Sequence, residues 1–276
     1  MSMSENKVTK PPGLQTPRDI AVVMPTILRP SLLRAVESVY AQDFVQDFGG
    51  TIQLLIGVDA VKGDPAILET LRATCPDQIT LTVLNPGYST VRANGGLHPA
   101  RDGGAMRTML SYLANARYIA YLDDDNWWGP DHLSSLFRTI QGVEGQGVQS
   151  IGWAYSFRWY VDPDNFATLC LDQWESVGPD RGVYAEKAGG FVDPNCLMID
   201  KILCEPVLRW WSVPMFDARG DGADRNVFNA LKADYSWAET RRATTYYVIG
   251  PGDSMDPHRQ KWIAEYLAAN PNPPNS

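Results

Sequence analysis

Residues 20–24 read IAVVM, a continuous apolar run stopped by Pro25. Without polar alternation, such a run suits a strand buried on both faces. Helical spacing follows: Pro30 suits a first helical position, and Leu33, Val36 and Tyr40 recur along one face. Residues 51–58 (TIQLLIGV) repeat the strand pattern and end at Asp59. Asp64 and Pro65 then supply a cap and a first-turn proline for a helix that carries Leu68 and Leu71 on its face. Residues 79–84 predict a third strand, and Met106, Met109, Leu110 and Leu113 another helix. A fourth strand, 118–122, runs directly into Asp123, Asp124 and Asp125. Strand and helix thus alternate, which predicts an α/β fold with a Rossmann-like, mainly parallel central sheet flanked by helices. Ligands of such sheets bind beyond the C-terminal strand ends, so the polar residues there are the first candidates: Thr26, Asp59 and the acidic triplet.

The second half lacks this alternation. Ile151, Trp153, Tyr155, Phe157 and Trp159 alternate strictly, which predicts a long strand with one aromatic face. Residues 182–194 are Gly-rich and read as a loop, and 196–199 as a strand. Val227, Phe228 and Leu231 mark a short helix opened by Asp224. A strand over 244–249 and a terminal helix bearing Trp262, Tyr266 and Leu267 complete the chain. The organisation expected is a tail at 1–17, one domain over 18–269, and a tail at 270–276. Within the domain, 18–130 is the alternating half, with the candidate ligand-binding ends, and 131–269 the half without alternation.

Composition narrows the function. The chain has 276 residues, 44% hydrophobic and 20% charged, so core material is ample for one domain of this size. A net charge of −8 argues against nucleic acid as a partner. Cys75, Cys170, Cys196 and Cys204 form no CxxC pair and no zinc spacing with the three histidines, as expected for reduced thiols in a cytoplasmic protein. The N-terminal residues have no apolar core of a signal peptide, and no run approaches the ~20 residues of a membrane span. Any contact with a membrane would therefore be peripheral.

The strongest chemical signal is residues 118–133, YIAYLDDDNWWGPDHL. In extended backbone Asp123 and Asp125 project the same way, into the expected cleft. Two adjacent carboxylates repel and need a cation or a shared proton. Oxygen ligands suit Mg²⁺ or Mn²⁺, with a pyrophosphate completing the coordination.

Residues 21–44 (AVVMPTILRPSLLRAVESVYAQDF) resemble the opening of family-2 glycosyltransferases, as does 54–60 (LLIGVDA). Residues 103–126 (GGAMRTMLSYLANARYIAYLDDDN) resemble that family's passage into its DxD motif. The resemblance implies a GT-A fold, a nucleotide-diphosphate sugar donor, most often a UDP-sugar, use of Mg²⁺ or Mn²⁺, and inversion at the anomeric centre. It gives Thr26 and the Pro25 turn a border on base and ribose, Asp59 a hydrogen bond from the base, and Arg107 a place near ribose and phosphates. It sets Asp123, with Asp124 beside it, against ribose or sugar hydroxyls, and Asp125 on the metal. His258 matches the late histidine that is a third metal ligand in some GT-A enzymes.

Inverting transfer needs a base for the acceptor hydroxyl. The family carries it in a Glu-Asp-like pair opening a late helix. Residues 220–231 (GDGADRNVFNAL) match that stretch, with Asp224 at the second position, Ala223 where Glu is usual, and Asp221 in reserve. Residues 189–200 resemble the segment under donor sugar and acceptor, which suggests Asp193 and Asn195 for sugar hydroxyls; Trp127 and Trp128 suit stacking on a sugar face. The activity expected is a metal-dependent, hexosyltransferase-like transfer to a saccharide or other hydroxyl acceptor. Two alternatives remain: a GT-A-like protein that binds nucleotide sugar with little turnover, and a nucleotidyltransferase. Residues 25–31 (PTILRPS) lack the Gly-rich phosphate loop the second would carry.

Overall fold

The computed structural model describes residues 16–101, 103–144, 150–215, 220–250 and 254–270. Most of both expected tails, 1–15 and 271–276, lies outside the described residues. Along the first half run β1 (Arg18–Thr26), α1 (Leu32–Tyr40), α2 (Asp43–Asp47), β2 (Ile52–Val58), α3 (Ile67–Ala73), β3 (Ile79–Leu84), α4 (Gly104–Leu113) and β4 (Ala116–Tyr121). The second half adds β5 (Trp127–Trp128), α5 (His132–Glu144), β6 (Trp153–Val161), β7 (Thr168–Leu171), β8 (Gly178–Pro179), α6 (Ala185–Ala188), β9 (Gly190–Phe191), β10 (Leu197–Asp200), α7 (Ala223–Asp234), β11 (Trp237–Val248) and α8 (Asp256–Ala269).

One sheet takes strands from both halves, in the order β3-β2-β1-β4-β10-β6-β11-β5, with β7 on β6. The apolar run of β1 is buried on both faces, as its pattern predicts. Ile20, Val22 and Met24 face a core with Leu32 and Val36 of α1 and Leu136 of α5. Ala21 and Val23 face a second core with Met106 and Leu110 of α4 and Phe228 of α7. Successive residues of one strand therefore feed two cores, one on each side of the sheet.

The sheet is mixed rather than mainly parallel. β1 to β4 are mutually parallel where they pair, and β6 runs parallel to β11, but β10 is antiparallel to both β4 and β6. The 3-10 turn Pro194–Cys196 explains the reversal. Asn195 accepts a hydrogen bond from the backbone N of Asp123, just past β4, so β10 starts where β4 ends and runs back along it.

Local differences have local causes. α1 begins at Leu32, two residues after Pro30. The carboxylate of Asp64 accepts from the backbone N of Ala66 at 2.9 Å, forming a turn ahead of α3 rather than its cap. α4 meets the sheet through Met106 and Leu110, leaving Met109 and Leu113 exposed on its far side. α4 and α7 both begin on a left-handed glycine, Gly103 (φ 71°) and Gly222 (φ 79°), a conformation that L side chains adopt at a cost. Those two starts hold Arg107 and Asp224. Asp224 is thus in the first turn of α7 rather than at its cap, and its Oδ1 accepts from the N of Arg225 at 2.8 Å.

Candidate functional site

The C-terminal ends of β1, β2 and β4 open onto a cleft of 1040 Å³. It is lined by Thr26, Asp59, Arg107 and all three acids of the triplet, and by Asp193, Asp221 and Asp224 from the second half. The residues singled out in the two halves therefore meet, except Trp127, Trp128, Asn195 and His258, which are not among its lining residues.

The triplet's three carboxylates have different surroundings. Asp124 is buried and holds the turn after β1: its Oδ2 accepts from Thr26 Oγ1 at 2.7 Å and from the N of Ile27 at 3.3 Å. Thr26 Oγ1 in turn accepts from the N of Leu28, a non-glycine residue at φ 63° whose strain these bonds hold in place. Asp123 is clamped between Arg107 and Asn195, whose Nδ2 donates to its Oδ2 at 2.9 Å. Asp125 has the most open carboxylate of the three, its side chain 45% exposed against 29% for Asp123 and 7% for Asp124. Burial within the cleft walls, then the charges of Asp123 and Asp124, push the Asp125 carboxyl up to about 6, against the pull of Arg29. Its partner is the Nη1 of Arg29 at 2.5 Å.

Asp59 accepts from Ser89 Oγ at 3.2 Å, from the N of Thr90 at 2.8 Å and from Thr90 Oγ1 at 2.5 Å. It thereby fixes the loop that carries Val91 and Asn94 to the cleft wall. Asp193 sits opposite, its Oδ2 accepting from Arg158 Nη1 at 2.5 Å and its Oδ1 from Asn195 Nδ2 at 2.7 Å. Burial raises its carboxyl, against the pull of Arg158. Asp224 is raised by the same cause, with Arg225 opposing and Asp193 adding to the shift.

Three expectations need correction. Trp127 does not offer its ring to the cleft: the ring stacks on Tyr246 at 5.2 Å and 4°, and the Arg34 guanidinium lies 4.2 Å from its centroid. Trp128 is buried, stacked on His132, with its Nε1 donating to the backbone O of Asn195. Asn195 has no exposed surface; its side chain is committed to Asp123 and Asp193, so it positions the acids. His258 is exposed on α8, with its ring 5.9 Å from that of Trp262, and does not join the acids. Its neighbour Arg259 points into the cleft instead. Among the described residues, no three His, Cys, Asp or Glu side chains are grouped to hold an ion by themselves.

A buried ionic network was not anticipated. Arg158 donates from Nε to Asp172 at 2.8 Å, from Nη2 to Glu175 at 3.2 Å and from Nη1 to Asp193. Arg259 adds a second cation on Glu175 at 2.5 Å. Burial opposes ionisation of Glu175, but Arg158 and Arg259 outweigh it and hold the carboxyl down at about 2. The one sequence signal was Arg158 itself, a charge inside an otherwise apolar strand, which implies a buried partner.

No family model matches the chain, and no curated protein matches it in sequence. Solved structures do match in fold. The crystal structure of S. aureus TarS 1-349 aligns with a TM-score of 0.56 at 13% identity, covering 90% of this chain and 70% of that one. The same protein in complex with UDP-GlcNAc gives 0.58 at 12%, covering 91% and 66%. The mannosyltransferase PcManGT from Pyrobaculum calidifontis, in complex with GDP-Man and Mn²⁺, gives 0.55 at 13%, covering 95% and 66%. This chain spans 43% of the longer TarS structure. The fold is therefore of the GT-A type: a curled mixed sheet flanked by helices. No helix among the described residues is long and apolar enough to cross a membrane.

Proposed function

We propose that the chain is a glycosyltransferase that passes a sugar from a nucleotide diphosphate, foremost a UDP-sugar, to an acceptor hydroxyl with inversion. One observation carries this reading: carboxylates beyond β2 and β4 and an acid from the first turn of α7 open onto a single cleft of a GT-A fold. The neighbours bound to UDP-GlcNAc, or to GDP-Man and Mn²⁺, support a nucleotide-sugar ligand and a divalent ion.

In this reading residues 18–130 receive the nucleotide and 131–269 the acceptor. Asp59 keeps room for a base N–H, since its recorded bonds use three of about four acceptor positions of a carboxylate. Arg107 and Asp123 face ribose and phosphates. The donor set suits Mn²⁺ or Mg²⁺ arriving with the diphosphate: these ions take one or two carboxylates plus phosphate oxygens, and Asp125 is the open, charge-crowded carboxylate. When bound, the ion stabilises the leaving diphosphate as a Lewis acid. The acceptor oxygen bonds to the anomeric carbon as the bond to the diphosphate breaks, and Asp224, or Asp221 in reserve, takes the hydroxyl proton. Burial suits Asp224 to this, because it raises proton affinity toward that of a useful base.

The test is a thermal-shift panel of UDP, GDP, dTDP and CDP, each with and without Mn²⁺. A ligand bound only by the folded state raises stability by mass action, so the true donor class should shift the transition, and more so with Mn²⁺. If none of the four shifts it, the proposal fails.

A further inference from the structure

The arginines that line the cleft divide by partner. Arg29 pairs with Asp124 and Asp125, Arg107 with Asp123, Arg158 with Asp172, Glu175 and Asp193, and Arg259 with Glu175. Arg225 and Arg101 also line the cleft but have no carboxylate within ion-pair distance among the described residues.

Arg225 is nevertheless held in place. Its guanidinium lies 3.9 Å from the ring centroid of Tyr184 and 3.6 Å from that of Phe191, and its Nη1 is buried without a hydrogen-bond partner. Aromatic faces attract a guanidinium and restrict its rotamers, but they do not neutralise it. Asp224 acts on the guanidinium only from beyond ion-pair distance, so a buried N–H is left unsatisfied at a cost that an anion brought by a ligand would remove. Arg225 directly follows Asp224 in the first turn of α7. Arg101 lies beside the same segment, its backbone N donating to the O of Gly220 at 2.6 Å, one residue before Asp221. Arg225 therefore adjoins the proposed base, and Arg101 lies where the segment leading to it enters the same cleft. The acids beyond β4, where a cation and a diphosphate would neutralise one another, already have their own arginines.

We infer that the acceptor carries an acid group, a carboxylate or a phosphate, close to the hydroxyl that is glycosylated, and that Arg225 binds it with Arg101 at the rim. Calling this ligand an acceptor rests on the glycosyltransferase reading; the anion site itself follows from Arg225.

Calorimetric titration of matched probes tests it, with and without UDP and Mn²⁺. Methyl glucuronide is compared with methyl glucoside, and glycerol 3-phosphate with glycerol, so that the two pairs separate carboxylate from phosphate. The wild type should bind the acid of at least one pair about tenfold or more tightly than its neutral analogue, as a charge-assisted, forked contact implies. Arg225→Met should abolish that preference and change UDP affinity by less than about twofold, since the donor's charge is met elsewhere. Arg225→Lys, which keeps the charge without the fork, should retain part of the preference. If Arg225→Met does not fold, Arg101→Met is the second variant, with an expected loss of about threefold in the acid preference. Equal binding of acid and neutral probes by the wild type overturns the inference, as does an acid preference untouched by these variants. A fall in UDP affinity in Arg225→Met that matches the loss of acid binding also overturns it, because the guanidinium then serves the donor. Failure of every nucleotide to bind, with an acid preference that Arg225→Met removes, supports the anion site and sinks the glycosyltransferase reading instead.

Discussion

Three adjacent aspartates of the same kind are made different by what surrounds them. Asp124 holds a turn, Asp123 is clamped, and Asp125 alone keeps an open carboxylate. Asp125→Asn removes one charge at nearly constant shape. UDP affinity in Mn²⁺ should fall about tenfold or more, the scale of one charge-assisted contact, while the protein stays folded. Unchanged affinity would mean that Asp125 holds no metal. Asp224→Asn tests a different stage of the reaction. A base acts as the bond forms, so nucleotide affinity should hold while transfer falls by about 10²-fold or more. Asp221→Asn should do much less, and the reverse result would make Asp221 the base. The triplet, Asp59 and Thr26 were legible in the sequence because each follows an apolar strand, where this kind of sheet exposes ligand-binding groups. Asn195 was noticed because residues 189–200 resemble a family segment under the donor sugar, but only the folded turn shows its amide committed to Asp123 and Asp193.

β1, β2 and β4 were legible as elements because a strand buried largely on both faces leaves an apolar run in the sequence, whereas β3 (ITLTVL) is a half-buried edge strand marked by its β-branched residues. The antiparallel course of β10 was not, since direction is set by the contact between Asn195 and Asp123 across 72 residues. The aromatic face read along β6 was also incomplete. Beyond Ser156 the strand buries Arg158 and Tyr160 and leaves Phe157 and Trp159 half-buried. α8 shows the same limit: Trp262, Tyr266 and Leu267 mark the helix, yet its buried residues are only Arg259 and Ile263. Its seat is the Arg259–Glu175 pair, the stack of Trp262 on Trp174 at 5.5 Å, and a small cluster in which Ile263 meets Tyr160 and Cys170. So thin an apolar face leaves docking dependent on the arginine. Arg259→Met should raise amide exchange in α8 by about tenfold or more through local opening, with β1 to β4 unchanged. Equal protection of α8 in variant and wild type would show that the aromatic stack and the Ile263 cluster seat it without the arginine.

At the scale of the whole molecule, one chain of polar contacts joins these parts. It runs from Arg259 on α8 through Glu175 and Arg158 on β6 to Asp193, then through Asn195 to Asp123 beyond β4. Its ionisation gives the fold a pH dependence whose sign can be worked out. Glu175 is held at about 2 in the folded protein, below the ordinary 4.5. A depressed carboxyl contributes stability that is fully present above its unfolded pKa and is lost as pH falls through the folded one. The window is therefore roughly pH 5 down to 2, and the contribution is on the order of 3 kcal/mol; with the side chain 3% exposed, little of it is screened by solvent. Asp124, Asp193 and Asp224 are raised by burial and act in the opposite sense, their contribution falling as pH climbs through the carboxylate range. The acid limb of the wild type is thus a sum of opposed slopes. Comparison with Glu175→Gln isolates one of them, because a protonated Glu175 and a glutamine are nearly equivalent. Urea unfolding at pH 7, 5 and 3 should show the variant less stable by about 3 kcal/mol at pH 7, with the gap narrowing steadily toward pH 3 as the wild type loses its charge. A gap of constant size would mean that Glu175 holds α8 and β6 together by shape and hydrogen bonding, with its charge contributing nothing.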